Sequence, residues 1–246
     1  MEKVTESLLR VLIEAGIGSR RWLADAIKQG RVEVNGEVVE DFRYPLNREA
    51  NRISVDGQLL ELEPKQLTYL MLHKPRGVLS TVSDERGRKT VFSTLPFKYR
   101  HLRLYPVGRL DKDSTGLLLL TNDGEFTYRL THPRFENEKE YLIHIDGNLR
   151  PSGKRMLEQG IKLEDGMTYP AVVKEVRSSP PFNYSLTMHE GRKRQVRRMF
   201  AALGFRVLAL KRVRIGNLSL GKLKEGDVRE LSSQEVRRLL GNSPAD

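Results

Sequence analysis

Apolar side chains at Leu8, Leu9, Leu12 and Ile13 recur at helical spacing, so residues 4–15 are predicted to form a helix closed by Gly16-Ile17-Gly18. Ser19 is a suitable N-cap for a second helix over residues 20–29, which Gly30 stops. That helix is two-sided: Leu23, Ala24 and Ile27 face inward, while Arg20, Arg21 and Lys28 share the outer face. Residues 31–39 then alternate around Asn35-Gly36, the strongest short-range hairpin signal. Two short helices and a small sheet therefore fit within the first 60 or so positions.

The pattern breaks at Glu61-Leu62-Glu63-Pro64-Lys65, which reads as a linker between a module of residues 1–62 and a larger domain of residues 63–246. The larger part opens with a strand over residues 67–75. Further strands are predicted over 117–121, 141–145, 171–176 and 184–188, with helices over 153–159, 195–203 and 232–240 and a frayed end over 241–246. Many strands and few helices argue for an α+β chain whose large domain is a mixed, mostly antiparallel sheet.

Charge narrows the class. Across 246 residues the net charge is +11, and the cations cluster, which points to a polyanionic partner such as nucleic acid. There is no cysteine, which excludes disulfides, thiol nucleophiles and cysteine zinc sites, and the five histidines lack metal-helix spacing. No metal site of histidine or cysteine type is therefore expected. No apolar run approaches the roughly 18 residues of a membrane span. Glu2 and Glu6 sit where a signal peptide would be apolar or basic, so a cytoplasmic location is expected.

Four segments carry candidate chemistry. In Gly108-Arg109-Leu110-Asp111-Lys112-Asp113-Ser114-Thr115-Gly116 a turn-like run precedes the four leucines 117–120, which places Asp111 at the rim of a buried strand. His73-Lys74-Pro75-Arg76-Gly77 makes a basic turn at a strand end. Lys139-Glu140-Tyr141 sets a phenol on an alternating strand. Arg192-Lys193-Arg194-Gln195-Val196-Arg197-Arg198 packs five cations into seven positions at a helix start. The helix dipole disfavours cations there, so an anion is expected to hold them.

The stretch from Leu8 through Gly36 resembles an S4 domain, a small RNA-binding module, over residues 7–60. Trp22 departs from the smaller or charged residues usual there, and either packs against the hairpin or stacks on RNA. Residues 69–231 resemble the pseudouridine synthases, in the branch that contains RsuA, RluB, RluE and RluF. The motif Gly-Arg-Leu-Asp followed by Thr-Gly-Leu-Leu-Leu-Leu-Thr-Asn-Asp-Gly carries most of that resemblance.

The resemblance implies isomerisation of uridine to pseudouridine in ribosomal RNA without a cofactor. The 23S RNA is the leading substrate, the 16S RNA the alternative, and an assembling ribosomal particle a possible form of either. It implies Asp111 as nucleophile, Arg197 as the cation that keeps it ionised, and Tyr141 stacked on the base. Arg109 would fill the space that a flipped base leaves. Lys74, Arg192, Lys193, Arg194 and Arg198 would position RNA in the large domain, and Arg20, Arg21 and Lys28 in the small one. A monomer is expected. The competing reading is a non-catalytic RNA-binding assembly factor, against which the joint presence of Asp111, Tyr141 and Arg197 argues.

Overall fold

The computed structural model describes residues 6–48, 50–60 and 66–241. The chain divides into two compact units, residues 1–67 and 68–246. The expected boundary at 62/63 lies outside the described residues, as do the expected linker and all but the first residue of the frayed end.

In the first unit β1 (Glu6–Ser7) runs directly into α1 (Leu8–Glu14), and α2 (Arg20–Lys28) follows. The first helix is thus shorter than predicted, because Glu6 and Ser7 pair with Leu46 and Pro45 of β4 (Pro45–Leu46). The Ser19 hydroxyl accepts the Trp22 amide at 3.2 Å and caps α2 as expected. Ala26, not Ala24, joins Leu23 and Ile27 in full burial; Ala24 sits one step round the helix and is only half-buried. The hairpin of β2 (Val32–Val34) and β3 (Glu37–Val38) turns on Asn35 and Gly36, both with positive φ. With β5 (Ile53–Val55) and β6 (Gln58–Leu59) it forms a sheet of order β3-β2-β5-β6. The two helices close a core of Leu8, Leu12, Leu23, Ile27, Val32 and Ile53.

In the second unit β7 (Tyr69–Lys74) is followed by a long connection that holds α3 (Phe97–Arg100) and β8 (Tyr105–Pro106), and the chain returns in β9 (Thr115–Thr121). Next come α4 (Gly124–Thr131), β10 (Lys139–Ile145), α5 (Pro151–Gln159) and a hairpin of β11 (Lys162–Leu163) with β12 (Gly166–Met167). Then follow β13 (Val172–Glu175), β14 (Tyr184–Met188), α6 (Gln195–Ala202), β15 (Val207–Ile215), β16 (Leu218–Ser219), β17 (Val228–Glu230) and α7 (Ser233–Gly241). The large sheet has the order β13-β14-β10-β15-β9-β7-β17, with β16 and β8 paired off it. Every pair along that order is antiparallel except β15 with β9.

The four leucines explain themselves in this setting. Successive strand side chains point to opposite faces, so Leu118 and Leu120 enter one core while Leu117 and Leu119 enter another. α3, α5 and α6 pack on the first face through Tyr99, Leu157 and Phe200; α4 and α7 cover the second through Phe126 and Leu239. The elements not predicted include α4 and β15. In α4, Asp123 caps the Phe126 amide at 3.0 Å, but the only wholly apolar core positions are Phe126 and Leu130, too few for a clear period. β15 runs from four apolar residues into Lys211, Arg212 and Arg214, and its adjacent Lys211 and Arg212 read as surface rather than central strand.

Strand β9 meets β15 unusually closely at Gly116. A Cβ there would fall 2.2 Å from the Arg212 carbonyl oxygen, and φ is +107°. Gly116→Ala is therefore expected to destabilise the chain by ~1–3 kcal/mol, the usual cost of overpacking. Gly191→Ala, with nothing within 4 Å, should leave thermal stability unchanged. Equal thermal midpoints for the two variants would contradict this close approach.

Candidate functional site

Strand register places one row of residues side by side across the sheet. Lys74 pairs with Gly116, Gly116 with Arg212, and Arg212 with Tyr141. Paired residues share a face, so all four belong to the face that carries Leu118 and Phe200. Adjacent strands lie about 4.8 Å apart, so Tyr141 is roughly 10 Å from Gly116 along the row. The Asp111 loop enters β9 immediately before this row.

Lys74 was expected to meet RNA, but it is wholly buried. Its ammonium donates to the carbonyls of Pro75 at 3.0 Å and Ser114 at 2.9 Å, with a longer 3.4 Å contact to Lys112. No proton remains for a phosphate. Lys74 instead ties the end of β7 to the loop that carries Asp111. Burial pushes its pKa down to about 8, against the opposing pull of Asp113 and Asp111.

Asp111 is half-buried, and its backbone carbonyl accepts the Ser114 amide at 3.1 Å, closing a turn. Among the described residues its carboxylate has no hydrogen-bond donor and no ion-pair partner, although the charges of Lys74, Arg194 and Arg197 act on it. Arg197 was expected to be the cation that keeps Asp111 ionised. It pairs with Asp113, at 3.3 Å, and also donates to the carbonyls of Asp113 and Val207 at 3.2 and 2.8 Å. Burial lowers the pKa of Arg197, with Asp113 and Asp111 opposing. Asp113 is likewise pushed up by burial, but the bond from Arg194 and the charge of Arg197 hold it below its ordinary value.

The remaining cations sort into two groups. Arg192, Arg194 and Arg198 are engaged inside the chain. Arg194 grips both oxygens of Asp113 at 3.1 and 3.2 Å. Arg198 grips Asp165 at 2.9 and 2.8 Å, and Arg192 bonds Glu190 and the carbonyls of the β11–β12 turn. Inside the chain the anions paired with this helix start are Asp113 and Asp165, so three of the cations expected to contact RNA also act as internal ties. In contrast, Arg109, Lys193, Arg20, Arg21 and Lys28 are exposed and make no ion pair or side-chain hydrogen bond among the described residues. Trp22 lies against Gly18, where a Cβ would fall 2.4 Å from its ring, with the Arg31 guanidinium 5.2 Å above it. Its ring thus packs beside the base of the hairpin.

Tyr141 is buried to 8% exposure, and its hydroxyl has no hydrogen-bond partner among the described residues. Next to it in the row, the equally buried Arg212 donates its Nε to Leu117 O at 2.8 Å, while one terminal nitrogen is enclosed without a partner. A cleft of about 420 Å³ opens on the flank, lined by Arg194, Arg197, Phe205, Arg206 and Val207. Asp111 and Tyr141 are not on its walls, so it adjoins the Asp111 loop through Arg194 and Arg197 rather than enclosing the carboxylate. Sequence reasoning took Asp113 for a turn residue and gave no site role to Asp165, Gly116 or Arg212. Only the glycine left a signal, because a glycine opening an apolar strand marks a close backbone approach.

The buried cation makes a pH-dependent prediction. Lys74 has a folded pKa near 8, below its unfolded value near 10.5, so between these the folded chain binds fewer protons. The burden on stability is complete below about pH 8 and is relieved as pH rises toward 10.5. In urea unfolding, the wild type should gain stability relative to Lys74→Met across that window. A difference independent of pH would contradict the assignment.

Residues 68–202 match the model of the RNA pseudouridylate synthase family, and residues 7–51 that of the S4 domain. A ribosomal large subunit pseudouridine synthase B of Bacillus subtilis is 46% identical over 237 residues, covering 95% of both chains. A protein of the same name from Yersinia pestis is 41% identical over 95% of this chain and 75% of its own length. An uncharacterized RNA pseudouridine synthase of Mycobacterium tuberculosis is 44% identical over 94% of this chain and 92% of its own. Among solved structures, a pseudouridylate synthase superposes with a TM-score of 0.68 at 33% identity, over 95% of this chain and 99% of that one.

Proposed function

The chain belongs to the RNA pseudouridylate synthase family, and we propose that it isomerises a specific uridine in the RNA of the large ribosomal subunit. The observation that carries the site assignment is the Asp111 carboxylate: half-buried, free of donors, and under the charge of Lys74, Arg194 and Arg197. A nucleophilic carboxylate must be ionised and keep its lone pairs available. Burial works against ionisation, and fixed cations offset it. Arg197 acts here through Asp113: it clamps the neighbouring turn while its charge reaches Asp111.

In this reading Asp111 attacks ribose C1′ or uracil C6 as the glycosidic bond breaks. The uracil then rejoins ribose C1′ through C5, which releases the Asp111 carboxylate, and with Tyr141 packed on the base the C5 proton leaves while N1 takes one up. No atom is gained or lost, so the reaction needs no cofactor. A paired uridine cannot reach a half-buried carboxylate and must leave its stack. Arg109, exposed and unpaired two residues before Asp111, suits the vacated space because a guanidinium both stacks and bonds phosphate. The free cations Arg20, Arg21 and Lys28 of the S4 unit, with Lys193, supply phosphate contacts. Large-subunit RNA is favoured over small-subunit RNA by the names of the Bacillus and Yersinia relatives. No helix among the described residues is long and apolar enough to cross a membrane. A cytoplasmic monomer is part of the proposal.

Pseudouridine mapping of ribosomal RNA from cells lacking the protein tests this reading. One large-subunit position should revert to uridine, return with the wild-type gene, and stay uridine with Asp111→Asn. A deletion strain that changes no position would favour an assembly factor. Restoration by Asp111→Asn would remove Asp111 from the chemistry.

A further inference from the structure

We propose that Phe97 and the cations around it form a second RNA-contact surface of the catalytic unit, on which an unpaired base flanking the target uridine stacks. The proposal rests on RNA being the substrate. It begins with charge: residues 86–110 contain seven Lys or Arg and no Asp or Glu, in a chain where acids number 32 of 246. That segment belongs to the connection from β7 to β9, and its last residues are Arg109 and Leu110, directly before Asp111. The Ser80 hydroxyl bonds both the carbonyl and the amide of Leu110, at 2.8 and 3.1 Å, so the connection is tied to the catalytic loop in space as well as in sequence.

Phe97 opens α3 with 85% of its surface exposed, more than any other large apolar side chain among the described residues. The exposure does not come from a loose segment. Two positions on, Tyr99 is buried at 6% in the sheet core and donates its hydroxyl to Glu230 at 2.9 Å. Tyr99 thus pins the short helix, and Phe97 is held outward. The cations beside it, Lys98 and Arg100, form no ion pair among the described residues, although the Glu230 charge acts on Lys98. Arg100 bonds the neutral carbonyls of Leu95 and Ser93, at 2.9 and 3.3 Å, and Lys98 lies 4.7 Å above the Tyr99 ring. Of the nearby acids, Glu230 accepts the Tyr99 hydroxyl and Asp84 is taken by Arg88.

A rigid exposed ring beside cations that form no ion pair matches single-stranded RNA, which offers a π-face and phosphates together. A protein partner fits less well, since lysine is depleted from the cores of protein interfaces. The occupant is therefore a looped or unpaired stretch of the substrate RNA.

The test uses the full chain and a large-subunit RNA fragment that contains the modified position. Phe97→Ala should weaken binding about tenfold and raise KM, Phe97→Trp should restore both, and Lys98→Gln should flatten the salt dependence of binding. Thermal midpoints should not move, because Phe97 is exposed. Wild-type affinity in Phe97→Ala would overturn the proposal. So would normal binding and turnover of purified RNA combined with reduced modification in cells, which would assign the ring to a protein partner. Absence of pseudouridine formation by the unaltered chain would sink the enzymatic reading, while the affinity comparison would still decide whether Phe97 contacts RNA.

Discussion

The ammonium of Lys74, sealed from water at the end of β7, is the interaction on which the catalytic unit is organised. Burying a charge without a counterion is costly unless every proton is bonded. Lys74 meets that condition with backbone carbonyls, and those carbonyls come from the two ends of the connection between β7 and β9: Pro75 at its start, Lys112 and Ser114 at its return. Satisfying one lysine therefore fixes where the chain re-enters the sheet. The Gly77 amide adds a 2.8 Å bond to the Lys112 carbonyl. Asp111 sits on the segment these bonds hold.

Gly116 supplies the complementary constraint. Its missing Cβ lets β9 approach β15 at Arg212, the one parallel pairing along the sheet order. The approach aligns Lys74, Gly116, Arg212 and Tyr141 in a row, so the sheet just past the point where the Asp111 loop enters β9 carries two buried cations and a phenol. Asp113 gathers Arg194 and Arg197, and Asp165 holds Arg198. The cationic helix start is thereby built from internal pairs, and the free cations lie elsewhere. Rigid placement of this kind is what the proposed nucleophilic attack on a flipped nucleotide requires.

Much of this was legible in the chain. The S4 hairpin declared itself through Asn35-Gly36, the Ser19 cap through its position, and the central strand through four leucines that alternate between two cores. The rim position of Asp111 followed from that strand. What stayed hidden has a common cause: the partner of a charge is a tertiary fact. Five cations in seven residues look the same whether they await phosphate or face Asp113 and Asp165 from distant segments. Lys74 looks like a surface residue because its partners are carbonyls, which every residue has. β15 was missed since Lys211 and Arg212 occupy a strand that periodicity would place at the surface, yet Arg212 is 3% exposed.

If the Lys74 tether governs the position of Asp111, removing it should loosen the loop before it harms anything else. Amide hydrogen exchange in Lys74→Met, compared with the wild type under conditions where both are folded, reads this directly at Gly77 and Ser114, whose amides bond Lys112 O and Asp111 O. The account predicts that these two amides exchange at least tenfold faster in the variant, while the β9 amides of Leu118 to Leu120 keep their protection. Unchanged exchange at Gly77 and Ser114 would contradict it and return Lys74 to the status of an incidental buried charge.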